Sequence, residues 1–490
     1  MKNTKAKIFF LTIFFFALFA VAQSASAADV YLDISATGCT GGGNVNTNYN
    51  PATKSCGNGS DKVYAGNYPF EAGRSLNDGD TLYIRAGEYW EDVTGKPGYG
   101  WQMGSLALSG KNHILVQNYN SEVVWMKCGD TKTDPGVCPN NAVSMGGSYQ
   151  TLDISYIYGN IMLSGTNNTV QNCDISGGFD HQSSWNPGQP DAAWPNVIRF
   201  KSSINALIKN CYIHDNVRPP DGGNGCNMAL FMHEEDQNTI VENCKFENGV
   251  GDAVCLKYQY NWQAWQGKYG QGPAGTHATY RYNVIGANTT GIDGSYGYSN
   301  KDSYIYQNIF ISPSSANLNP NGMDGKFFIY NNDFYNTGAD LNRWQAGSAA
   351  AIQAFNNIMY HDTPSQYNIY FQALVMDFYT DYNDFYASGT TAKFFNGSLR
   401  GTMLGAWQTF MSGTGQDQNS INTNPNFLNA SGNFNLTTDF KRSLYSMNGR
   451  GGSWPSVMGA YITGSETIGL TSGTTPDTTP PSAPSGLAVN

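Results

Sequence analysis

The sequence is poor in charged residues and contains only one long apolar run. Lys, Arg, Asp and Glu together make up 13% of the 490 residues, whereas a helical protein would be richer in Ala, Leu, Glu and Lys. The C-x-x-C spacing of many metal and haem sites is missing, as are H-E-x-x-H, the P-loop, G-x-S-x-G and the dinucleotide fingerprint. The sequence therefore gives no support to a zincin, a P-loop nucleotide-binding protein, an α/β-hydrolase or a dinucleotide-binding enzyme.

The single apolar run lies at the N-terminus. It covers residues 8–22, follows three lysines within the first seven residues, and precedes an Ala-Ser-Ala sequence that ends at Ala27. This order is typical of a secretory signal peptide. A retained membrane anchor is the alternative, but the run is short for a bilayer span. We therefore predict a signal peptide over 1–27, a secreted or cell-surface protein, and no membrane span once the signal is removed.

The charge balance limits the partners of the mature chain. Loss of the three signal-peptide lysines leaves 24 basic and 37 acidic residues, a net charge of −13. Such an acidic protein is not expected to bind nucleic acid or an anionic membrane. An acidic polysaccharide would need a metal ion or a local basic patch to offset this charge.

The composition instead indicates short strands joined by tight turns in an oxidising compartment. The 56 glycines favour turns, and the nine cysteines suit an exported protein. Cys39 with Cys56, and Cys128 with Cys138, each bracket a polar loop and are candidate disulfides.

Eight segments repeat one six-residue pattern: an apolar residue, any residue, Asn or a similar residue, Cys or Asn, any residue, and a second apolar residue. The central positions are Cys173, Cys211, Cys244, Asn283, Asn308, Asn332, Asn357 and Asn383. Successive gaps are 38, 33, 39, 25, 24, 25 and 26 residues. Propeller blades need about 40 residues or more, so four gaps near 25 do not fit that alternative, and a β-sandwich would require the spacing to be a coincidence.

The repeat predicts an all-β solenoid, in which each repeat is one coil that stacks on its neighbours. The apolar residue two positions after each Cys or Asn then belongs to the core. The Asn column can lie at a turn, where each amide bonds the backbone and the next Asn. Cys in the same column acts as a small apolar filler. We assign residues 28–462 to this domain.

Two further motifs resemble the pectin-lyase-like superfamily of right-handed parallel β-helices. GDTLYIRAGEYWEDV, residues 79–93, resembles the first-coil motif, whereas NPNFLNASGNFNL (424–436) and MGAYI (458–462) resemble the last-coil motif. The resemblance implies a right-handed parallel β-helix, but these motifs report fold and not activity.

The composition changes after the last-coil motif. Residues 463–480 are rich in Thr, Ser, Gly and Pro and are predicted to be a disordered linker. Residues 481–490 resemble the first strand of a fibronectin type III domain, so we interpret them as the start of a truncated module.

The three longest gaps are consecutive, and insertions in neighbouring coils mark a binding face. Trp262 and Trp265 in the third insertion are candidates for stacking on sugar rings, although they could equally pack within their own loop. His214 and Arg218 in the second insertion are candidate substrate-binding residues. The Tyr-Ile-His-Asp-Asn segment around His214 also suits an ordinary β-helix turn.

The third insertion lies beside a second resemblance. GDAVCLKYQ followed by YRYN (280–283) resembles the chondroitinase-B and alginate-lyase family, in which an acidic calcium ligand stands five residues before a catalytic Lys. This resemblance implies that Asp252 binds Ca²⁺ and that Lys257 is the base of a β-elimination on a uronate. In such a reaction the cation neutralises the sugar carboxylate and acidifies the adjacent C–H group.

The chain departs from that family at two places. Residues 291–300 hold neither Arg nor His where the family has an Arg-His-Gly motif, so Tyr296 is the candidate acid. Val250 stands where the family has a further acidic ligand, and Glu235 in the preceding coil is the other candidate metal ligand. The acidic run around Glu235 also suits a solvated turn.

Three functions therefore follow from the sequence. The favoured one is a secreted, calcium-assisted polysaccharide lyase. A glycoside hydrolase would need two carboxylates about 5 to 9.5 Å apart, for which Asp252 with Glu235 or Asp293 are candidates. A non-catalytic glycan-binding or adhesion protein is the third.

Overall fold

The computed structural model describes twenty stretches of the chain. They are residues 27–90, 104–127, 141–176, 196–215, 228–232, 236–247, 254–258, 277–286, 289–293, 302–311, 316–319, 326–336, 339–343, 351–362, 366–372, 378–387, 393–428, 440–441, 449 and 455–471. Within them, no helix is long and apolar enough to cross a membrane.

Short strands assemble into three long sheets, which we name A, B and C. Sheet A contains, in spatial order, Ser55–Cys56, Val45–Asn50, Asp61–Ala65, Asp29–Asp33, Thr81–Ile84, Leu115–Asn118, Thr151–Asp153, Thr169–Gln171, Leu207–Lys209, Thr239–Glu242, His277–Arg281, Asp302–Tyr306, Lys326–Tyr330, Ala351–Phe355 and Phe378–Asp381. Sheet B contains Gly87–Tyr89, Val124–Lys127, Tyr156–Tyr158, Asp174–Ser176, Tyr212–His214, Lys245–Glu247, Val284–Ile285, Ile309–Ile311, Asp333–Tyr335, Ile358–His361 and Asp384–Ala387. Sheet C contains Gly104–Ala107, Asn141–Met145, Ile161–Thr166, Asn196–Ile204, Met228–Met232, Val254–Tyr258, Thr289–Asp293, Ala316–Asn319, Ala339–Arg343, Tyr367–Phe371, Phe394–Asn396 and Leu399–Gly401.

The chain visits sheets A, B and C in turn and then begins the next coil. The strand Thr239–Glu242 of sheet A is followed by Lys245–Glu247 in sheet B and Val254–Tyr258 in sheet C. Each of these strands pairs in parallel with its counterpart one coil later. The chain is thus a right-handed parallel β-helix, and the predicted fold is confirmed.

The predicted core column lies inside the coils. Its members are at most 1% exposed: Ile175, Ile213, Phe246, Ile285, Phe310, Phe334, Met359 and Phe385. They come from sheet B, where register pairs each with the next. Phe310 and Phe334 stack with ring centroids 4.6 Å apart. One coil cannot bury these side chains alone, so stacking supplies most of the apolar burial.

The predicted Asn column lies at the corner between sheets A and B. Asn308 donates from Nδ2 to Oδ1 of Asn332 at 3.0 Å, and Asn332 donates in the same way to Asn357 at 3.0 Å. Cys173, Cys211 and Cys244 continue the column as buried free thiols. Their role as small fillers is confirmed.

Both ends of the stack are closed. At the C-terminal end, the helix Leu404–Met411 buries Trp407, whose indole stacks on Phe394 at 5.1 Å between ring centroids. At the N-terminal end, the helix Pro69–Ser75 packs Phe70 against Ala107 of sheet C. Such caps cover sheet edges and core ends that would otherwise invite aggregation.

Near the N-terminal end a disulfide joins Cys39 and Cys56, as the sequence predicts. The other candidate pair, Cys128 and Cys138, lies outside the described residues. So do residues 1–26 of the predicted signal peptide and residues 481–490 of the predicted fibronectin segment.

Residues 455–471 run back along the corner between sheets A and B, opposite to the direction of stacking. Asn356 donates from Nδ2 to the carbonyl of Pro455 at 2.7 Å, and much earlier in the stack the amide of Thr471 donates to Oδ1 of Asn210 at 2.6 Å. Ile468 is 3% exposed. This segment, which we call the C-terminal strap, includes the first nine residues of the predicted linker.

Candidate functional site

In the described backbone, Lys257 lies on sheet C, one position along its strand from a residue of the core. The core column contains Leu230 and Ile292, both fully buried, and the position between them is Leu256. Lys257 is the next residue of the strand Val254–Tyr258. It pairs with Phe231 of the preceding coil and with Asp293 of the following coil. A candidate base and a carboxylic acid therefore occupy adjacent positions of one column, with strands spaced about 4.8 Å apart.

A second basic residue belongs to the same column. Arg199, in the strand Asn196–Ile204, pairs with Phe231 and so lies two coils before Lys257. It is 3% exposed. Sequence reasoning missed this residue, although an arginine between Ile198 and Phe200 in an apolar strand was a usable signal. The column thus carries positive charge that the net charge of the chain does not suggest.

The predicted insertions attach to the edges of sheet C at these coils. Residues 177–195, 216–227 and 248–253 connect strands of sheet B to strands of sheet C, whereas 259–276 lead from sheet C to sheet A. Chain topology therefore borders the column of Lys257 with these three connections on one edge and with the connection that contains Trp262 and Trp265 on the other. The structures of these insertions lie outside the described residues.

Most of the predicted site residues also lie outside the described residues, namely Arg218, Glu235, Asp252, Trp262, Trp265 and Tyr296. Their places in the chain are nevertheless fixed by the strands around them. Tyr296 follows by three residues the strand Thr289–Asp293, which lies one coil after the strand of Lys257. These roles stay predictions.

Asp252 and Glu235, the predicted calcium ligands, lie outside the described residues, so this assignment stays a prediction. Carboxylate oxygens are the donors that Ca²⁺ prefers. Asp252 stands before the strand Val254–Tyr258, whereas Glu235 stands after Met228–Met232, and these two strands pair in parallel. In the part of the chain that the structure describes, no three His, Cys, Asp or Glu side chains gather into a metal-binding group.

His214 is the one predicted site residue whose side chain is described, and it lies on sheet B. Its Nε2 is 2.7 Å from Oδ1 of Asp174, and its Nδ1 is 2.7 Å from Oδ2 of Asp215. The ring stacks on Tyr212 with centroids 4.0 Å apart. Burial opposes the charged imidazole, but the two carboxylates outweigh it and raise the pKa of His214 above its ordinary value. The structure does not bring His214 and Lys257 to the same sheet.

This arrangement favours an imidazolium held from both nitrogens. Such a group is poorly suited to accept a further proton, because both ring nitrogens already donate. Its partners Asp174 and Asp215 come from the preceding coil and the following residue, so the cluster ties two coils together. The role of His214 in substrate binding stays a prediction.

Comparison with known proteins adds a likeness in fold. No protein-family model and no curated protein matches the chain. Among solved structures, the chain is similar to the crystal structure of pectate lyase Pel9A, with 12% sequence identity and a TM-score of 0.46. The similarity covers 89% of this chain and 97% of that one.

Proposed function

We propose that the protein is an extracellular enzyme that cleaves an acidic polysaccharide by β-elimination, with Lys257 as the base. The observation that carries the proposal is the register of sheet C, which aligns Arg199, Lys257 and Asp293 in one column. The two longest connections between strands, residues 177–195 and 259–276, enter the sheet before the strand of Arg199 and leave it after the strand of Lys257. Positioned polar groups on rigid strands, bordered by variable loops, are the usual construction of an enzyme site.

The proposed chemistry needs a proton acceptor and a proton donor on a uronate. The base removes the proton from the carbon next to the carboxylate, and a second group protonates the leaving glycosidic oxygen. Lys257 is assigned the first role and Tyr296 the second.

The proposal is tested with alginate, polygalacturonate and chondroitin as substrates, each with and without calcium and a chelator. We expect the ultraviolet absorbance of unsaturated uronates to rise on one polymer. Lys257→Ala should lower kcat by about 10²- to 10⁴-fold, as loss of a general base does. Lys209→Ala is the matched control, because Lys209 lies on sheet A with a side chain that is 46% exposed.

The alternatives give different results in the same assay. Reducing ends without a new double bond would favour a glycoside hydrolase, for which Asp252 with Asp293 or Glu235 remain the candidate carboxylates. Binding that survives Lys257→Ala and Asp252→Ala without turnover would favour a glycan-binding protein. Full activity of the Lys257→Ala variant would show that Lys257 is not the base. A loss of activity with the chelator would support calcium binding.

A further inference from the structure

Five residues in successive coils form a column at the corner between sheets C and A, of which four are exposed and one, Asn167, is half-buried. Backbone hydrogen bonds of 2.8 to 2.9 Å fix its register from coil to coil. Every residue of the column has a positive φ. The residues and their φ values are His113 (56°), Tyr149 (57°), Asn167 (57°), Asn205 (55°) and Asn238 (53°). One side chain per coil thus projects from the same corner, about 4.8 Å from the next.

The residue types in this column are unequal in backbone cost. Asn adopts the left-handed conformation readily, whereas a bulky residue such as Tyr seldom does. The last three coils use Asn, as the backbone alone would favour. The first two use His113 and Tyr149, so some property of these rings offsets the backbone cost.

Two other tyrosines adopt the left-handed conformation, and their surroundings differ from those of Tyr149. Tyr282 and Tyr382, with φ of 58° and 55°, occupy the corner between sheets A and B. Both pack against the apolar cluster that contains Tyr461 and Ile468 of the C-terminal strap. Tyr149 instead remains 53% exposed. The rings of Tyr282 and Tyr382 are therefore packed against other apolar residues, whereas the ring of Tyr149 faces solvent.

The two exposed rings create a step in the surface. His113 and Tyr149 stack with centroids 4.7 Å apart and planes inclined by 4°. On the other side of Tyr149 the column continues with Asn167, whose side chain is shorter, so the outer part of the tyrosine ring overhangs it. We call this step the Tyr149 ledge, formed by His113, Tyr149 and Asn167.

Amide groups form the floor below the ledge. Asn205 donates from Nδ2 to Oδ1 of Asn167 at 2.9 Å, and Asn238 donates to Asn205 at 3.1 Å. Each such bond uses one of the two amide N–H groups of the donor. The remaining capacity of these amides suits the hydroxyl groups of a sugar, which both donate and accept hydrogen bonds.

The ledge stands on a rigid base. The residues that follow Tyr149 and Asn167 are Gln150 and Asn168, which are fully buried. Asn168 accepts from the amide of Gln150 at 2.9 Å and donates from Nδ2 to the carbonyl of Gly147 at 2.9 Å. A side chain at Gly147 would place its Cβ 1.6 Å from the carbonyl oxygen of Lys111, so only glycine permits this approach of two coils. A preorganised surface loses little entropy when it binds a ligand.

We propose that the Tyr149 ledge is a sugar-binding subsite, in which one pyranose ring lies against Tyr149 and its hydroxyl groups bond the amides of Asn167 and Asn205. Aromatic rings and a few placed polar groups are the usual lining of a small-ligand site. The inference rests on the proposed function for the class of ligand. Asn238 begins the coil that contains Lys257, so the column leads from the ledge toward the candidate catalytic face.

The test measures binding of alginate, polygalacturonate and chondroitin by affinity electrophoresis of the full chain. The Lys257→Ala background prevents consumption of the polymer, and KM is measured in the native background. Tyr149→Asn should weaken binding about tenfold, as loss of an aromatic anchor does, and should raise KM with little change in kcat. Its thermal unfolding should stay near that of the parent protein, because Asn already occupies this conformation in three neighbouring coils.

Two further variants separate the causes. Tyr149→Phe keeps the ring and should bind within about twofold of the parent. Met403→Asn removes an apolar side chain that is 63% exposed near the opposite end of the stack, and should bind normally. Equal affinity of Tyr149→Asn and its parent, or no binding of any of the three polymers, overturns the proposal. If Lys257→Ala retains full turnover while Tyr149→Asn weakens binding, the proposed catalytic role fails and the subsite stands.

Discussion

Asn308 and Asn332, which are 24 residues apart in the chain, are joined by two hydrogen bonds to one oxygen atom. Oδ1 of Asn332 accepts from both the backbone amide and Nδ2 of Asn308, each at 3.0 Å. Nδ2 of Asn332 in turn donates to the carbonyl of Ile305 at 2.9 Å and to Oδ1 of Asn357 at 3.0 Å. Each asparagine therefore satisfies buried polar groups of two neighbouring coils.

Replacement of Asn332 by Ala should lower the free energy of unfolding by about 2–4 kcal/mol, because it leaves several buried donors and acceptors without partners. Urea unfolding measures the change. Asn238→Gly is the matched control, since Asn238 belongs to an exposed Asn column where water replaces the lost bonds and glycine keeps its left-handed backbone. It should cost about 1 kcal/mol or less. Similar losses for the two variants would mean that burial of the column adds nothing.

The sequence predicts the stack well where coils repeat in residue type as well as in conformation. Asn308, Asn332 and Asn357 recur at nearly constant spacing because the same buried corner requires an amide in every coil. The corner that contains Tyr149 repeats only in backbone conformation, so His, Tyr and Asn follow each other without a pattern. Side-chain identity cannot reveal a column whose common property is a positive φ.

The candidate site was predictable only in part, for a related reason. Lys257 was found through a resemblance, and the register then placed Asp293 beside it. The pairing of Arg199 with Phe231 depends on the number of residues in each insertion that fold out of the coil. Gap lengths of 38 and 33 residues do not give that number. In coils with long insertions, only the structure therefore shows which residues align in one column.

A buried histidine should make stability depend on pH. His361 is 2% exposed, with Nε2 2.9 Å from Oδ2 of Asp340 and Nδ1 2.8 Å from Oε1 of Gln366. Burial disfavours the charged ring, but the carboxylate of Asp340 outweighs burial and raises the pKa of His361 above its ordinary value. The folded protein therefore holds this proton more tightly than the unfolded chain does.

The stabilisation from His361 should be complete below the unfolded pKa of about 6.5 and disappear as the pH rises through the raised pKa of the folded state. His361→Gln should consequently lose less stability than the parent protein over that rise in pH. Urea unfolding at a series of pH values measures the slope. An unchanged slope in His361→Gln would contradict the prediction, whereas His214→Gln should retain the contribution of His361.

The C-terminal strap provides the last prediction, because part of it lies in the segment that composition assigns to a linker. Ile468 is 3% exposed and belongs to the apolar cluster on sheet B. The neighbouring amide of Gly469 donates to the carbonyl of Tyr282 at 2.7 Å. The side chain of Thr467 is exposed, although its carbonyl accepts from Asn243 at 2.8 Å.

Ile468→Ala should therefore lower the free energy of unfolding by about 2–4 kcal/mol, since it removes a buried side chain and leaves a cavity. Thr467→Ala, one residue earlier, should change it by about 0.5 kcal/mol or less, because the backbone bond to Asn243 is kept. Chemical denaturation followed by circular dichroism measures both values. If residues 463–471 were a loose linker, both substitutions would leave stability unchanged. That result would show that these residues do not pack against the β-helix.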